Sequence, residues 1–148
     1  KKYFIITIIF LGLTTTLHAQ NKTVDTLLET CGVLSAQGVY ITYTSIGTLV
    51  DAYAYGVYDD ETTSTILSEY IGMSEGVNEQ LNFVLKSGIL NSEDIGFVIE
   101  LNNIYELLIA EADAFNKFIQ TKDESYIHIY ESNRTKAWNK ISQLFELE

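Results

Sequence analysis

Apolar residues recur every three or four positions along most of the chain, which is the period of an α-helix with a buried face. Between residues 24 and 56, two stripes share this spacing. In the first stripe, large residues alternate with small ones: Leu27, Cys31, Leu34, Gly38, Ile41, Ser45, Thr48, Ala52 and Tyr55. The second stripe consists of Val39, Tyr43, Ile46, Val50, Tyr53 and Val57. Two stripes predict a helix buried over a broad arc, and the small positions predict the close approach of a neighbouring helix.

The same segment has features of a β-hairpin, which is the main alternative. The stretch VYITYT, residues 39–44, is rich in strand-forming residues, and Gly47 is a candidate turn position. The stretch lacks an Asn-Gly or Asp-Gly turn signal, and its polar residues do not alternate consistently. A membrane span over residues 31–50 is disfavoured because threonine, serine, glutamine and tyrosine dilute its apolar character. The period therefore favours a helix.

The rest of the chain predicts three further helices, over residues 60–87, 92–120 and 123–147. Asp59 or Asp60 is a candidate N-cap for the first, Gly88 ends it, and Asn91 opens the next. Thr121 and Glu124 have the spacing of a capping box. Similar lengths and short connections predict an all-α fold, an up-down-up-down four-helix bundle.

The apolar seams of these helices predict which residues form the core. The first seam contains Leu67, Tyr70, Ser74, Val77, Leu81 and Val84. The seam of the second, the most regular in the chain, contains Val98, Leu101, Tyr105, Leu108, Ala112, Phe115 and Ile119. The last helix contributes Ile127, Tyr130, Arg134, Ala137, Ile141 and Leu144. Arg134 is the one charged residue in these seams.

The first residues have the order of a secretory signal peptide. Lys1 and Lys2 precede an apolar run over residues 3–13, and Leu17 and Ala19 stand before a cleavage position ahead of residue 20. The run is too short to cross a bilayer of ~30 Å as a helix, although an uncleaved anchor stays open as an alternative. We therefore expect a signal peptide over residues 1–19, one mature domain over residues 20–148, and bacterial export to a periplasmic or secreted location.

Charge and cysteine content narrow the function classes. Twenty acidic residues against nine basic ones give a formal net charge of −11. An acidic chain repels nucleic acid and anionic lipid surfaces, so we expect neither as a partner. Cys31 is the single cysteine, so an intramolecular disulfide is excluded. We predict that Cys31 is a buried apolar side chain, with a bridge between two chains as the alternative.

Signatures of catalysis and cofactor binding are absent from the sequence. It contains no Glu-x-x-His motif of the kind that di-iron bundles use, and no Cys-x-x-Cys-His haem attachment site. Met73 and His128 could in principle hold a b-type haem, but the predicted topology places them on diagonal helices. We therefore predict no catalytic residue, no metal site and no cofactor, and an enzyme stays open only as a third function class.

One polar constellation is a candidate binding site. In an antiparallel pairing of the first and last helices, Asp51 lies level with about residue 131, within reach of Arg134. The residues predicted to share this layer are Tyr53, Tyr55, Asp113, His128, Tyr130 and Glu131. As a structural element, Asp51 and Arg134 would form a buried ion pair that fixes helix register. As a functional element, Asp51, Tyr55, His128, Tyr130 and Arg134 would form the polar floor of a ligand pocket.

Two functions follow from these observations. The first is a non-catalytic, exported helical bundle that binds a protein partner or scaffolds an envelope assembly. The second is a bundle that holds a small ligand around Arg134 and Asp51. A large apolar surface on the outside would favour the first, and an open cavity at Arg134 would favour the second. A homo-oligomer stays open in either case.

Overall fold

The computed structural model of the chain describes the backbone of residues 2–146 and the side chains of residues 26–146. The described residues form four α-helices and no β-strand: α1 Lys2–Ala54, α2 Asp60–Lys86, α3 Ser92–Thr121 and α4 Ser125–Leu144. The all-α prediction is therefore confirmed. The hairpin alternative is wrong, because residues 38–54 are continuously helical.

Chain contacts divide the protein into two units, Lys1–Ser35 and Ala36–Glu148. In the first unit the described side chains belong to residues 26–35, and Leu27, Val33 and Leu34 are exposed there. Cys31 is exposed as well, so the prediction that it is buried is wrong. The second unit contains the C-terminal part of α1 and all of α2, α3 and α4.

The predicted ends of α2 and α3 are confirmed, because the capping residues act as the sequence indicates. Asp59 accepts a hydrogen bond from the Thr62 amide, at 2.8 Å. Asn91 accepts from the Glu93 and Asp94 amides at the start of α3. Gly88 has a φ of 73°, the left-handed conformation that ends a helix and that glycine adopts without strain.

The predicted capping box before α4 is wrong. Glu124 occupies the N-cap position without a side-chain capping bond. The Ser125 amide instead donates to Asp123 Oδ1, at 2.9 Å. Thr121 is the last residue of α3, and its hydroxyl donates back to the Lys117 carbonyl. The short connection leaves no room for the box, since its first residue still belongs to the preceding helix.

The core of the second unit is built mainly from the predicted seams of α2, α3 and α4, together with Val39, Ile46 and Leu49 of α1. All seven residues of the predicted α3 seam are buried. The predicted seams of α2 and α4 contain both buried and half-buried residues. Ile46 and Leu67 are among the large side chains that these helices bury completely.

Only one of the two predicted α1 stripes faces this core. Val39 and Ile46 of the second stripe are buried, and Tyr43 packs against the core. Ile41 and Tyr55 of the first stripe are exposed. The helical period was therefore predicted correctly, but burial over a broad arc was wrong.

Side-chain contacts define which helices of the second unit meet. α3 packs against both α2 and α4. Residue numbers along α3 and α4 run in opposite directions in the contacting pairs, so the two helices are antiparallel. The pairs are Glu100 with Lys140, Glu111 with Arg134, and Phe115 with Tyr130. Residues of α1 meet residues of α4 and its C-cap in the same opposite order: Tyr40 with Phe145, Tyr43 with Trp138 and Gly47 with Arg134.

The N-terminal predictions rest on side chains outside the described residues. The signal peptide over residues 1–19 and its cleavage ahead of residue 20 stay predictions. Across the part of the chain that the structure describes, we find no helix long and apolar enough to cross a membrane.

Candidate functional site

A buried ion pair joins α3 to α4. Arg134 Nη1 donates to Glu111 Oε1 at 2.7 Å. The Glu111 side chain is completely buried, whereas 28% of the Arg134 side chain is exposed. Glu111 Oε2 is also buried and has no hydrogen-bond donor among the described residues. Half of the carboxylate is therefore satisfied, and the other half carries the cost of lost hydration.

The same guanidinium reaches α1. Arg134 Nη1 also donates to the Tyr43 carbonyl oxygen, at 3.3 Å. Its Cζ lies 4.2 Å from the centre of the Tyr43 ring, within the range of a cation–π contact. The Tyr43 ring in turn stacks on Trp138 of α4, with ring centres 5.5 Å apart. Arg134 therefore contacts both α1 and α3 from α4.

Gly47 makes room for this arrangement. A Cβ atom at Gly47 would lie 2.7 Å from Arg134 Cζ, closer than real Cβ contacts allow, so the guanidinium would have to move. At Gly38 a Cβ atom would lie 3.0 Å from the Tyr105 hydroxyl oxygen. The close approach that the small α1 residues predict is therefore present at Gly38. Gly47 is not in a turn but at the point of contact with Arg134.

Burial sets the protonation behaviour of this layer. It raises the pKa of Glu111 from 4.5 to about 7, and the Arg134 hydrogen bond and charge oppose the rise only in part. Burial also raises the pKa of Tyr130 and the pKa of Tyr43, with the Arg134 charge acting in the opposite direction on both. The site is thus a carboxyl group that exchanges its proton near neutral pH beside a permanent cation.

The predicted partner of Arg134 was Asp51, and that pairing is wrong. Asp51 is exposed on α1, and Arg134 forms its ion pair with Glu111. The predicted level of Asp51 on α4 was close, because the Asp51 charge acts on the Tyr130 hydroxyl. The side chain points away from the core, however, since Asp51 lies outside the buried α1 stripe.

The other predicted site residues separate into two groups. Tyr130 is buried against Phe115, with ring centres 5.2 Å apart, in the layer of Arg134. Tyr55 is 86% exposed beyond the end of α1, and the His128 side chain is 83% exposed, with Nδ1 4.0 Å from Glu131 Oε2. The structure therefore brings Tyr130 and Arg134 together but leaves Asp51, Tyr55 and His128 at the surface.

Two further residues predicted to share the layer have other partners. Asp113 forms an ion pair with Lys117 on the same helix, at 2.7 Å. The Tyr53 hydroxyl donates to Asp60, and Lys122 donates to both of these residues. The Lys122 ammonium group therefore joins the ends of α1, α2 and α3, one layer beyond Arg134.

Sequence reasoning missed Glu111, although a signal for it exists. Glu111 follows Ile104 and Leu108 and precedes Phe115 at the three- and four-residue spacing that identified Arg134 as a seam residue. A carboxylate at such a position needs a buried cation, and Arg134 is the cation in a facing seam. Reading the acidic residues of α3 by their seam position would have found the pair.

An uncharged groove lies elsewhere on the second unit, between α1 and α2. It has a volume of about 350 Å³. We call it the α1–α2 groove; its residues are Thr44, Ser45, Thr48, Leu49, Ala52, Val57, Tyr58, Ile66 and Tyr70. Val57, from the connection between the two helices, is 66% exposed. None of these residues is charged, in a chain with a net charge of −11.

Within the described range, no group of three or more histidine, cysteine, aspartate or glutamate side chains is arranged to hold a metal ion. No family model, no curated protein and no solved structure matches the chain.

Proposed function

We propose that the chain is an exported, non-catalytic protein-interaction module that binds a partner through the α1–α2 groove. The observation that carries the proposal is the absence of charge along this groove, together with the exposed groove residues Val57 and Tyr58. Exposed apolar side chains in a contiguous groove are typical of a docking surface. A partner or envelope scaffold segment that covers these side chains would gain the apolar area that the free protein leaves in water.

The proposed architecture is an up-down-up-down four-helix bundle that follows a cleaved signal peptide. The opposite order of contacts between α3 and α4, and between α1 and α4, supports this topology. Lys1, Lys2 and the apolar run that follows support export by a bacterium to the periplasm or medium. Export would bring the mature domain to an envelope assembly, where a binding module without catalytic groups has a use.

The partner segment is proposed to be an apolar helix with flanking basic residues. Asp51 adjoins the groove residue Ala52 in sequence, and Asp59 adjoins the groove residue Tyr58; both acidic residues are exposed. Opposite charges at the rim of an interface speed association and fix orientation. An apolar stripe on the partner would enter the groove, and its lysine or arginine residues would meet these carboxylates.

The geometry favours this proposal over a ligand pocket around Arg134 and Asp51. Arg134 Nη1 already donates to Glu111 and to the Tyr43 carbonyl, and the guanidinium lies against Gly47. Asp51 is directed elsewhere. A small ligand at this position would have to displace the Arg134 side chain first.

Site-specific photocrosslinking in the source organism tests the docking surface. With a photoreactive phenylalanine at Tyr58, we expect an adduct with one partner. Val57→Glu in the same chain should reduce its yield about tenfold or more, because a buried unpaired carboxylate costs well over the 1.4 kcal/mol per tenfold change. Phe83 is an exposed aromatic residue on α2 outside the groove and provides the matched control position.

A photoreactive group at Phe83 should give little or no adduct, and Met73→Glu should leave the Tyr58 adduct unchanged. Equal yields from Tyr58 and Phe83, or a Tyr58 adduct that survives Val57→Glu, would contradict the assignment of the groove. The adduct mass also identifies the case in which the partner is a second copy of this chain.

A further inference from the structure

The Arg134 side chain contacts both α1 and α3 in the ion-pair layer. Its guanidinium has the Glu111 carboxylate on the α3 side, and the Tyr43 ring, the Tyr43 carbonyl and Gly47 on the α1 side. The α1 contacts need the guanidinium in this exact place. The charge that holds it there is that of Glu111, 2.7 Å away.

The Glu111 carboxylate is held in an unbalanced way. Oε1 accepts the Arg134 bond, whereas the buried Oε2 has no donor among the described residues. An ionised carboxylate in a core needs several donors to replace its hydration. The protonated form needs fewer, so proton uptake relieves the cost of the unsatisfied oxygen.

Few other groups act on this carboxyl. Tyr130 of α4 and Tyr43 of α1 line the layer, and Asp51 of α1 acts on the Tyr130 hydroxyl from the surface. Among the described residues, α2 contributes no charge that acts on Glu111, and neither does α3 itself. Glu111 and Arg134 therefore form an isolated two-charge system.

We propose that Glu111 and Arg134 form a proton-operated switch on the contact between α1 and α4. When Glu111 binds a proton, Arg134 loses its counter-charge. Because 28% of its side chain already reaches the solvent, the guanidinium moves outward and leaves Gly47 and the Tyr43 ring. The α1–α4 contact loosens without unfolding, because protonated Glu111 fits the apolar surroundings better than the carboxylate does.

The raised pKa of Glu111, about 7, places this event near neutral pH. Thr44, Ser45 and Thr48 of the α1–α2 groove lie within a helical turn of Tyr43 and Gly47 on α1. Coupling of the switch to partner binding rests on the proposed function. The switch itself does not, and it is tested in the isolated protein.

The single tryptophan, Trp138, provides the readout because it stacks on Tyr43, the residue that Arg134 contacts. As the pH falls from 9 to 5, we expect the Trp138 emission maximum to move to longer wavelength. The shift should occur in one step, with a midpoint within about one unit of pH 7. Far-ultraviolet circular dichroism should show an unchanged helix content across the step.

Glu111→Gln copies the protonated state and should hold the emission at its acid value at every pH. Arg134→Gln should also lack the step, and it serves as the test if Glu111→Gln does not fold. Glu100→Gln removes the more exposed ion pair with Lys140 from the same two helices and should keep the step. His128→Gln replaces the exposed histidine of α4 and should keep the step too.

A Trp138 emission that stays constant from pH 9 to 5 would overturn the switch. So would a step that persists in both Glu111→Gln and Arg134→Gln, or one that disappears in His128→Gln. A step accompanied by loss of helix content would also overturn it, because the event would then be acid unfolding.

Discussion

Arg134→Met is expected to lower the free energy of unfolding by about 3 kcal/mol at pH 8, the lower end of the range for breaking a buried ion pair. The variant leaves the Glu111 carboxylate buried without its cation, and it removes the cation–π contact with Tyr43. Urea unfolding followed by circular dichroism measures the change.

Two further variants make this result specific. Arg134→Met combined with Glu111→Leu should recover much of the loss, because the desolvation cost of the carboxylate disappears with the charge. Asp51→Asn should change the stability by less than about 0.5 kcal/mol, as substitutions at exposed sites usually do. If Asp51→Asn lowers the stability strongly and Glu111→Leu does not recover the loss caused by Arg134→Met, then Arg134 pairs with Asp51 instead.

The second large effect is a pH dependence that Glu111 alone contributes. Its pKa is about 7 in the folded protein and 4.5 as an ordinary glutamate, so the folded state binds the proton more tightly than the unfolded state does. Stability from this group is therefore complete below pH 4.5 and is lost as the pH rises through 7. The shift corresponds to about 3 kcal/mol at most.

Comparison with Glu111→Gln isolates this contribution from that of the other carboxylates. Between pH 5 and pH 8, the wild-type protein should lose about 2–3 kcal/mol relative to Glu111→Gln, whose amide does not titrate. Urea unfolding at several pH values gives the difference. A stability difference that does not vary with pH would mean that Glu111 is not buried as the structure shows.

Much of the fold followed from residues that act locally. Asp59, Asn91 and Gly88 determine helix ends through bonds to nearby amides or through a single backbone angle, so spacing alone located them. The capping box at Thr121 failed because an alternative local bond, from the Ser125 amide to Asp123, takes its place. The local sequence predicts that a capping residue is present, but it does not decide between Thr121 and Asp123.

The face of α1 could not be predicted from its own residues. Two stripes have the same spacing, and the choice between them depends on the partner helices. Val39 and Ile46 enter the core, and Gly47, which belongs to neither stripe, admits the Arg134 guanidinium. In the sequence, Gly47 looks like a turn position or a weak helix residue, since its use depends on a residue 87 positions away.

The candidate site was predicted in part for the same reason. Arg134 was identified because a charge in an apolar seam needs a partner, and its level against α1 was close. Asp51 was predicted as its partner because no other charged residue lies near Asp51 in the sequence of α1. Burial decides partners in a folded protein, and Glu111 is the carboxylate that α3 buries. To identify Glu111 from the sequence, each residue of α3 has to be assigned to the buried or the exposed face of the helix.

Arg134 occupies the space that Gly47 leaves on α1, and Gly47→Ala in two backgrounds probes this placement. In the wild-type chain at pH 8, where the Glu111 carboxylate holds the guanidinium, the added methyl group should displace it and destabilise the protein by about 1–3 kcal/mol, as overpacking does. In the Arg134→Met background, the same change should stabilise it by up to about 1 kcal/mol, the ordinary gain of alanine over glycine in a helix. Gly72→Ala, with open space at its Cβ position, should give that gain in both backgrounds. We expect a reversal of sign for Gly47→Ala alone; the same sign in both backgrounds would show that Arg134 does not fill this space.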